Sequence, residues 1–262
     1  MSKDILQQKQ YKILILGESC EDVYVFGTVD RLNPEAPVPI LKKTRKEKKE
    51  GMGGNVINNI SSMACNISEI DAFFNDKSLI KKIRFIDEKS KYQIMRYDIK
   101  KEIKSLDYKD IPRKEYDVIV FSDYNKGYLT KKLIEKVCTN FKNSKIFVDT
   151  KKKNISCYKN SVIKLNEAET KNVYNIPKTS EIITTLGEKG CKYKGAIYPA
   201  EPAEVYDVCG AGDVFLASLV TNWLENKNLE KAIKVANKCA SLSVTKSGCY
   251  TIKRGEYENI CI

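Results

Sequence analysis

Short runs of β-forming residues alternate with helix-like runs along nearly the whole chain, and this alternation restricts the fold more than any single residue does. Residues 11–16 read as a buried strand, 55–64 as a helix and 67–74 as a strand. Further strands are expected at 117–121, 145–148, 161–165 and 181–185, with helices at 130–140, 214–224 and 229–244. Strands regularly followed by helices imply an α/β fold built on a mostly parallel, doubly wound sheet. Ligands bind such sheets beyond the carboxyl ends of the strands, and Asp123, Asp149 and Asn166 fall at or just past those ends. Two stretches break the rhythm. Residues 38–49 and 82–98 are extended, of mixed charge, and have no helix beside them. They are expected to pair into a small sheet projecting from the main one. No internal repeat or low-complexity linker divides the 262 residues, so one domain over 1–262 is expected, its lid strands drawn from 20–50 and 82–98.

The richest segment is Val205-Tyr206-Asp207-Val208-Cys209-Gly210-Ala211-Gly212-Asp213. A glycine turn opening a helix aims unpaired backbone N–H groups outward, and the helix dipole favours negative charge there. Asp213 at that turn reads as a base that takes a proton from an attacking hydroxyl while the amides hold a phosphoryl group. The structural alternative is a plain N-cap.

Composition narrows the chemistry. The chain has no histidine, which removes His-based triads, His metal ligands and His general bases. Nine cysteines without a Cys-x-x-Cys pair read as reduced thiols. The net charge of +12 suits phosphorylated ligands, while the densest basic run, at 42–49, reads as a solvated strand or loop and no nucleic-acid module accompanies it. Met1–Gln10 is polar and no apolar run nears the ~20 residues that span a bilayer, so a cytoplasmic protein without membrane or nucleic-acid partners is expected.

Five segments, in order, resemble the ribokinase-like (PfkB) carbohydrate kinases. The run 207–213 is similar to that family's second signature, and Gly51 to Asn59 to its first, glycine-rich one. Asn166-Glu167-Ala168-Glu169 matches an Asn-x-x-Glu motif, Thr185-Leu186-Gly187-Glu188-Lys189-Gly190 a nucleotide-side loop, and Ala236-Asn237 with Ser247-Gly248 an adenine-side segment. Within the family, three stretches resemble the D-glycero-β-D-manno-heptose-7-phosphate kinases of ADP-heptose synthesis: Arg31-Leu32-Asn33-Pro34-Glu35-Ala36-Pro37-Val38-Pro39, Ser122-Asp123-Tyr124-Asn125-Lys126-Gly127 and Val148-Asp149-Thr150-Lys151.

The resemblance implies a ribokinase-like three-layer sandwich with a small β lid, often also a homodimer surface, and an ATP-dependent kinase using Mg²⁺. It implies Asp213 as general base and the amides of Gly210, Ala211 and Gly212 as an anion hole. It implies sugar contacts from Asp22, Gly51, Gly53, Gly54 and Asn55, nucleotide contacts from Asn166, Thr185, Gly187, Gly190 and Asn237, and largely water-mediated Mg²⁺ contacts from Asn166 and Glu169. A phosphorylated sugar needs cations, for which Arg84, Arg96 and Lys126 are the candidates, with Arg31 behind them. Each has a structural alternative: solvated surface cations for these four, turn or cap chemistry for Asp123 and Asp149, helix capping for Asn166 and Glu169, an exposed loop carboxylate for Asp22.

The chain departs from the family pattern in several places. A helix and strand usual after Phe74 are missing, Met52 stands where a second glycine is usual, Glu18 replaces Asp, and Cys209 replaces Thr. The resulting expectation is phosphorylation of D-glycero-D-manno-heptose 7-phosphate at O1, for the nucleotide-activated heptose of surface lipopolysaccharide. The alternatives are another ribokinase-like sugar kinase and a non-catalytic sugar- or nucleotide-binding protein of the same fold.

Overall fold

A computed structural model describes residues 9–262, so most of the polar stretch Met1–Gln10 lies outside the described residues. In chain order the elements are β1 (Tyr11–Gly17), β2 (Ser19–Asn33), β3 (Ala36–Met52), α1 (Gly53–Met63), β4 (Ile67–Phe74), β5 (Ile80–Asp87) and β6 (Gln93–Lys100). They continue with β7 (Val118–Asp123), α2 (Lys131–Asn140), β8 (Lys145–Thr150), β9 (Ser161–Asn166), α3 (Glu167–Asn172) and β10 (Glu181–Thr185). The last are β11 (Cys191–Tyr193), β12 (Ala196–Tyr198), α4 (Ala211–Asn226), α5 (Leu229–Ser243) and α6 (Arg254–Cys261).

The main sheet has eight strands in the order β12-β11-β10-β9-β8-β7-β1-β4. From β4 to β10 every neighbouring pair is parallel, and β11 and β12 add an antiparallel edge. Its inner strands β1, β7, β8 and β9 read as largely apolar runs because both faces are covered. Alternation sorts each strand between two cores. Ile13 and Ile15 of β1 join Val118, Val120 and Phe147 under α1, α4 and α5, whereas Leu14 and Leu16 join Ile119, Phe121 and Val148 under α2. This is the expected three-layer sandwich. Among the described residues no helix is long and apolar enough to cross a membrane.

The lid is a separate four-stranded sheet in the order β3-β2-β5-β6. Residues 38–49 and 82–98 do share it, as expected, but they do not pair with each other. The strand β2 lies between, antiparallel to β3 and parallel to β5. The strand β2 carries a glutamate, two aspartates and a glycine among its apolar residues, which hid its 15-residue length from a period-2 reading. The three-residue strands β11 and β12 were too short to show any period.

Only Glu18 separates β1 from β2, so the lid grows directly out of the main sheet beside the topological switch between β1 and β7. At that root Gly17 faces Ser122 of β7. A Cβ at Gly17 would run into the Ser122 carbonyl oxygen, which belongs to backbone and has no room to move. Gly17→Ala is therefore expected to lower stability by roughly 1–3 kcal/mol. The measurement is urea unfolding, with a fallen midpoint at unchanged slope.

Candidate active site

The helix α4 opens where two cavities meet. One, of about 410 Å³, lies under the lid and is lined by Asp22, Met52, Lys82, Tyr124, Asp149, Lys151, Lys164, Asn166, Cys209, Gly210, Gly212, Asp213 and Cys249. The other, of about 530 Å³, has a largely apolar wall of Pro202, Val205, Val208, Phe215, Ala240 and Val244, with Gly190 and Asn237 beside it. Thr185, Gly187, Val208 and Gly212 line both.

The turn between them depends on its glycines. Gly210 caps α4 in the left-handed conformation, φ 78°, which a side chain disfavours. Gly212 makes room for a lysine: a Cβ there would stand 2.8 Å from Lys164 Nζ. The Val214 amide closes the first helical bond on the Gly210 carbonyl, 2.9 Å, so the amides of residues 210–213 precede the helical ladder. One of the expected three anion-hole donors is partly spent, since the Ala211 N–H donates to the Val208 carbonyl at 3.3 Å.

Asp213 is buried, 4% exposed, in the first turn of α4. The Tyr124 hydroxyl donates to its Oδ1 at 2.6 Å and Asn55 Nδ2 to its Oδ2 at 3.4 Å. Burial, reinforced by the nearby Asp149 charge, pushes its carboxyl up to about 6 despite the Tyr124 bond. Asp149 behaves oppositely. Burial works to raise it, yet Lys164, at 2.5 Å, and Lys151, at 3.2 Å, hold it below the ordinary carboxylate range.

The other expected residues divide. Asp22 is no loop carboxylate: it sits on β2, 1% exposed, in an ion pair with Arg84. Arg84 is thus buried beside the cavity, with Asp22 taking up its charge, and its Nη2 also lies 3.2 Å from Cys209 Sγ. Gly51, Gly53 and Gly54 are buried behind the cavity wall, where Gly51 lets the Asp22 carboxylate approach. Arg96 does not reach the cavity. It is exposed on β6 and binds Asp98 at 2.8 and 3.0 Å. Lys126 and Arg31 are likewise absent from its lining. Asn166 and Glu169 form a capping box on α3, and Glu169 also pairs with Lys151 at 2.6 Å, so helix capping accounts for their direct bonds. Asn237 spends its amide on the Tyr198 carbonyl, 2.8 Å. Asp123 is held by Lys152, at 2.9 Å, and Tyr158.

The cations that do line the lid-side cavity are Lys82, Lys151 and Lys164. Lys164 was legible as a lone charge in the apolar strand Val162-Ile163-Lys164-Leu165. Lys82 carried no such signal among the many lysines of the lid. The hard oxygen donors Asn166 and Glu169 suit Mg²⁺, and with their direct positions filled they fit it through its water shell. The cluster Asp22, Cys209 and Cys249 is thiol-rich and does not suit that ion.

A family model described as pfkB family carbohydrate kinase matches residues 115–254. The chain belongs to that family. It is therefore a carbohydrate kinase, an ATP-dependent phosphotransferase. The bifunctional protein HldE of Sulfurimonas denitrificans is 32% identical over 97% of the chain and 65% of its own length. The protein of the same name from Helicobacter pylori strain J99 is 33% identical over 90% of the chain and 63% of its length. The chain thus spans just under two thirds of these relatives. Phosphofructokinase-2 from Escherichia coli shares the fold at a TM-score of 0.74 and 13% identity, covering 96% of this chain and 98% of that one. Ribokinase from Thermotoga maritima does so at 0.69 and 16%, covering 95% and 99%.

Glu18 links this kinase site to the lid root. Its buried carboxylate accepts the amides of Tyr124 at 2.7 Å and of Lys126 and Tyr128 at 3.1 Å. Burial and the Asp123 charge raise its pKa, and those amides offset part of the rise. Glu18→Ala strands up to three amide donors, so a loss of roughly 2–4 kcal/mol is expected. Thermal unfolding reads the loss, and amide exchange at Tyr124 and Tyr128 should rise beyond that of β7.

Proposed function

We propose that this kinase phosphorylates D-glycero-D-manno-heptose 7-phosphate at O1, giving the 1,7-bisphosphate for nucleotide-activated heptose of surface lipopolysaccharide. The observation that carries the reading is Asp213, buried at the glycine turn where the two cavities meet. ATP occupies the larger cavity with its base against the apolar wall, and the sugar phosphate lies beneath the lid. Asp213 takes the proton from the attacking hydroxyl, and the amides of Gly210, Gly212 and Asp213 face the transferred group. Lys164 and Lys151 stabilise its charge, and Lys82 meets the phosphate that the sugar already carries. Phosphoryl transfer is mainly positioning and charge stabilisation, so histidine is not needed. Asn166 and Glu169 would hold Mg²⁺ through its water shell, and the ion would there supply charge neutralisation for the ATP phosphates. The subgroup resemblance and the HldE relatives support the heptose. The reaction belongs to the cytoplasm, and the lid is assigned as a homodimer surface.

The test is ATP-to-ADP turnover with the heptose 7-phosphate beside fructose, ribose and fructose 6-phosphate. Turnover confined to the heptose phosphate is expected. Asp213→Asn should reduce it by about 10²–10⁴-fold or more while ATP still binds. Near-normal phosphorylation by that variant would remove Asp213 as the base. Turnover with another sugar alone would reassign the substrate and keep the kinase.

The pH dependence follows from the raised Asp213 carboxyl. A base works only when ionised, so kcat should fall about tenfold per pH unit below a limb near pH 6. The Tyr124 hydrogen bond favours the ionised form, so Tyr124→Phe should move this limb to higher pH. A limb that stays in place would mean that Tyr124 does not tune the base.

A further inference from the structure

Two thiols meet beside the turn that opens α4. Cys209 Sγ and Cys249 Sγ are 3.3 Å apart, and both residues line the lid-side cavity. Their surroundings are polarised. Arg84 Nη2 lies 3.2 Å from Cys209 Sγ, and the Tyr24 hydroxyl donates to the same sulfur at 3.6 Å. On the other side, Cys249 Sγ lies 3.4 Å from Asp22 Oδ2. One sulfur therefore faces a cation and donors, and the other a carboxylate.

From this arrangement we propose that Cys209 and Cys249 are a reversible oxidation site, closed into a disulfide by hydrogen peroxide and reducing kinase turnover when closed. The Cys209 thiol is held below its ordinary value by the hydrogen bond from Cys249 and, against the cost of burial, by Arg84. Cys249, the donor in that bond, is pushed up, and its burial and the Asp22 charge add to the rise. Cys209 is thus the nucleophile, since the thiolate is the reactive form. Its sulfur attacks the peroxide, the O–O bond breaks and hydroxide leaves, giving a sulfenic acid at Cys209. Cys249 sulfur then displaces the second hydroxide, forming S–S and breaking S–O. The two hydroxides take up the two thiol protons as water, so one peroxide is reduced for each disulfide formed.

Closing the pair from 3.3 Å to the ~2.05 Å of a disulfide moves sulfur by more than 1 Å. Cys209 immediately precedes Gly210, so this movement strains the turn that positions Asp213. It also removes the sulfur contacts of Arg84 and Asp22 at the cavity wall.

Trypsin separates the two cysteines cleanly: peptide 195–227 carries only Cys209 and peptide 247–253 only Cys249. The full chain is treated with hydrogen peroxide, free thiols are alkylated, and the non-reduced digest is analysed by mass spectrometry. The expected result is 195–227 joined to 247–253, with a fall in turnover that dithiothreitol restores. Cys249→Ala should give no joined peptide and no dithiothreitol-reversible loss, whatever its starting rate. Recovery of the two peptides separately, as alkylated or sulfinic forms, would overturn the site, as would 247–253 joined to the Cys20 peptide. A joined peptide without loss of turnover would overturn its regulatory effect. The peptide readout does not depend on which sugar is the substrate, so a failure there is distinct from a failure of the heptose assignment.

Discussion

The buried carboxylate of Glu18 holds together what would otherwise be three independent parts. It stands between the last residue of β1 and the first of the lid, and its oxygens bind the loop that follows β7. That loop carries Tyr124, whose hydroxyl orients Asp213 at the start of α4. Main sheet, lid and glycine turn are thus registered to one another through one side chain and one phenol. Its longer reach than aspartate, noted as a departure from the family pattern, is used here to accept three amides.

The buried aspartates in and beside the cavity follow a second rule, that each is answered by a cation unless its chemistry requires otherwise. Asp22 has Arg84, Asp149 has Lys164 and Lys151, and Asp123 has Lys152. Asp213 has only hydroxyl and amide donors, and its carboxyl is the one pushed up to about 6. The unequal treatment of neighbouring carboxylates separates structural from reactive ones.

Much of this was legible in the chain. The inner parallel strands announced themselves because, buried on both faces, they are largely apolar, and the glycine turn because only glycine tolerates its left-handed cap and the approach of Lys164. The lid was legible as extended chain but not in its pairing, since β2 mixes buried polar groups with apolar ones and offers no clean alternation. The cationic side of the site was the least legible. In a chain with 46 lysines and arginines, type alone does not distinguish Lys82, which lines the cavity, from Arg96, which binds Asp98 in solvent. The register sets Arg96 opposite Arg84, on the same lid face as Lys82, so position decides between them: Lys82 lies on the inner strand β5 and Arg96 on the edge strand β6.

The single residue between β1 and β2 also governs how the lid can move. A flap on a flexible linker opens by swinging about loose torsions. Here β2, an inner strand of the lid, continues β1, an inner strand of the main sheet, with Glu18 pinned at the junction by backbone on both sides, as its own amide bonds Ser122 and its carbonyl accepts from Gly53. Opening and closing must therefore proceed as a flexing of long strands, in which β2 and β3 bend and twist together from a clamped end. The tip of the lid travels far for a small distortion at its root, much as a cantilever does, and the residues closest to the clamp stay nearly fixed. Asp22, four residues from that clamp, remains in place while the outer lid adapts to what lies beneath it.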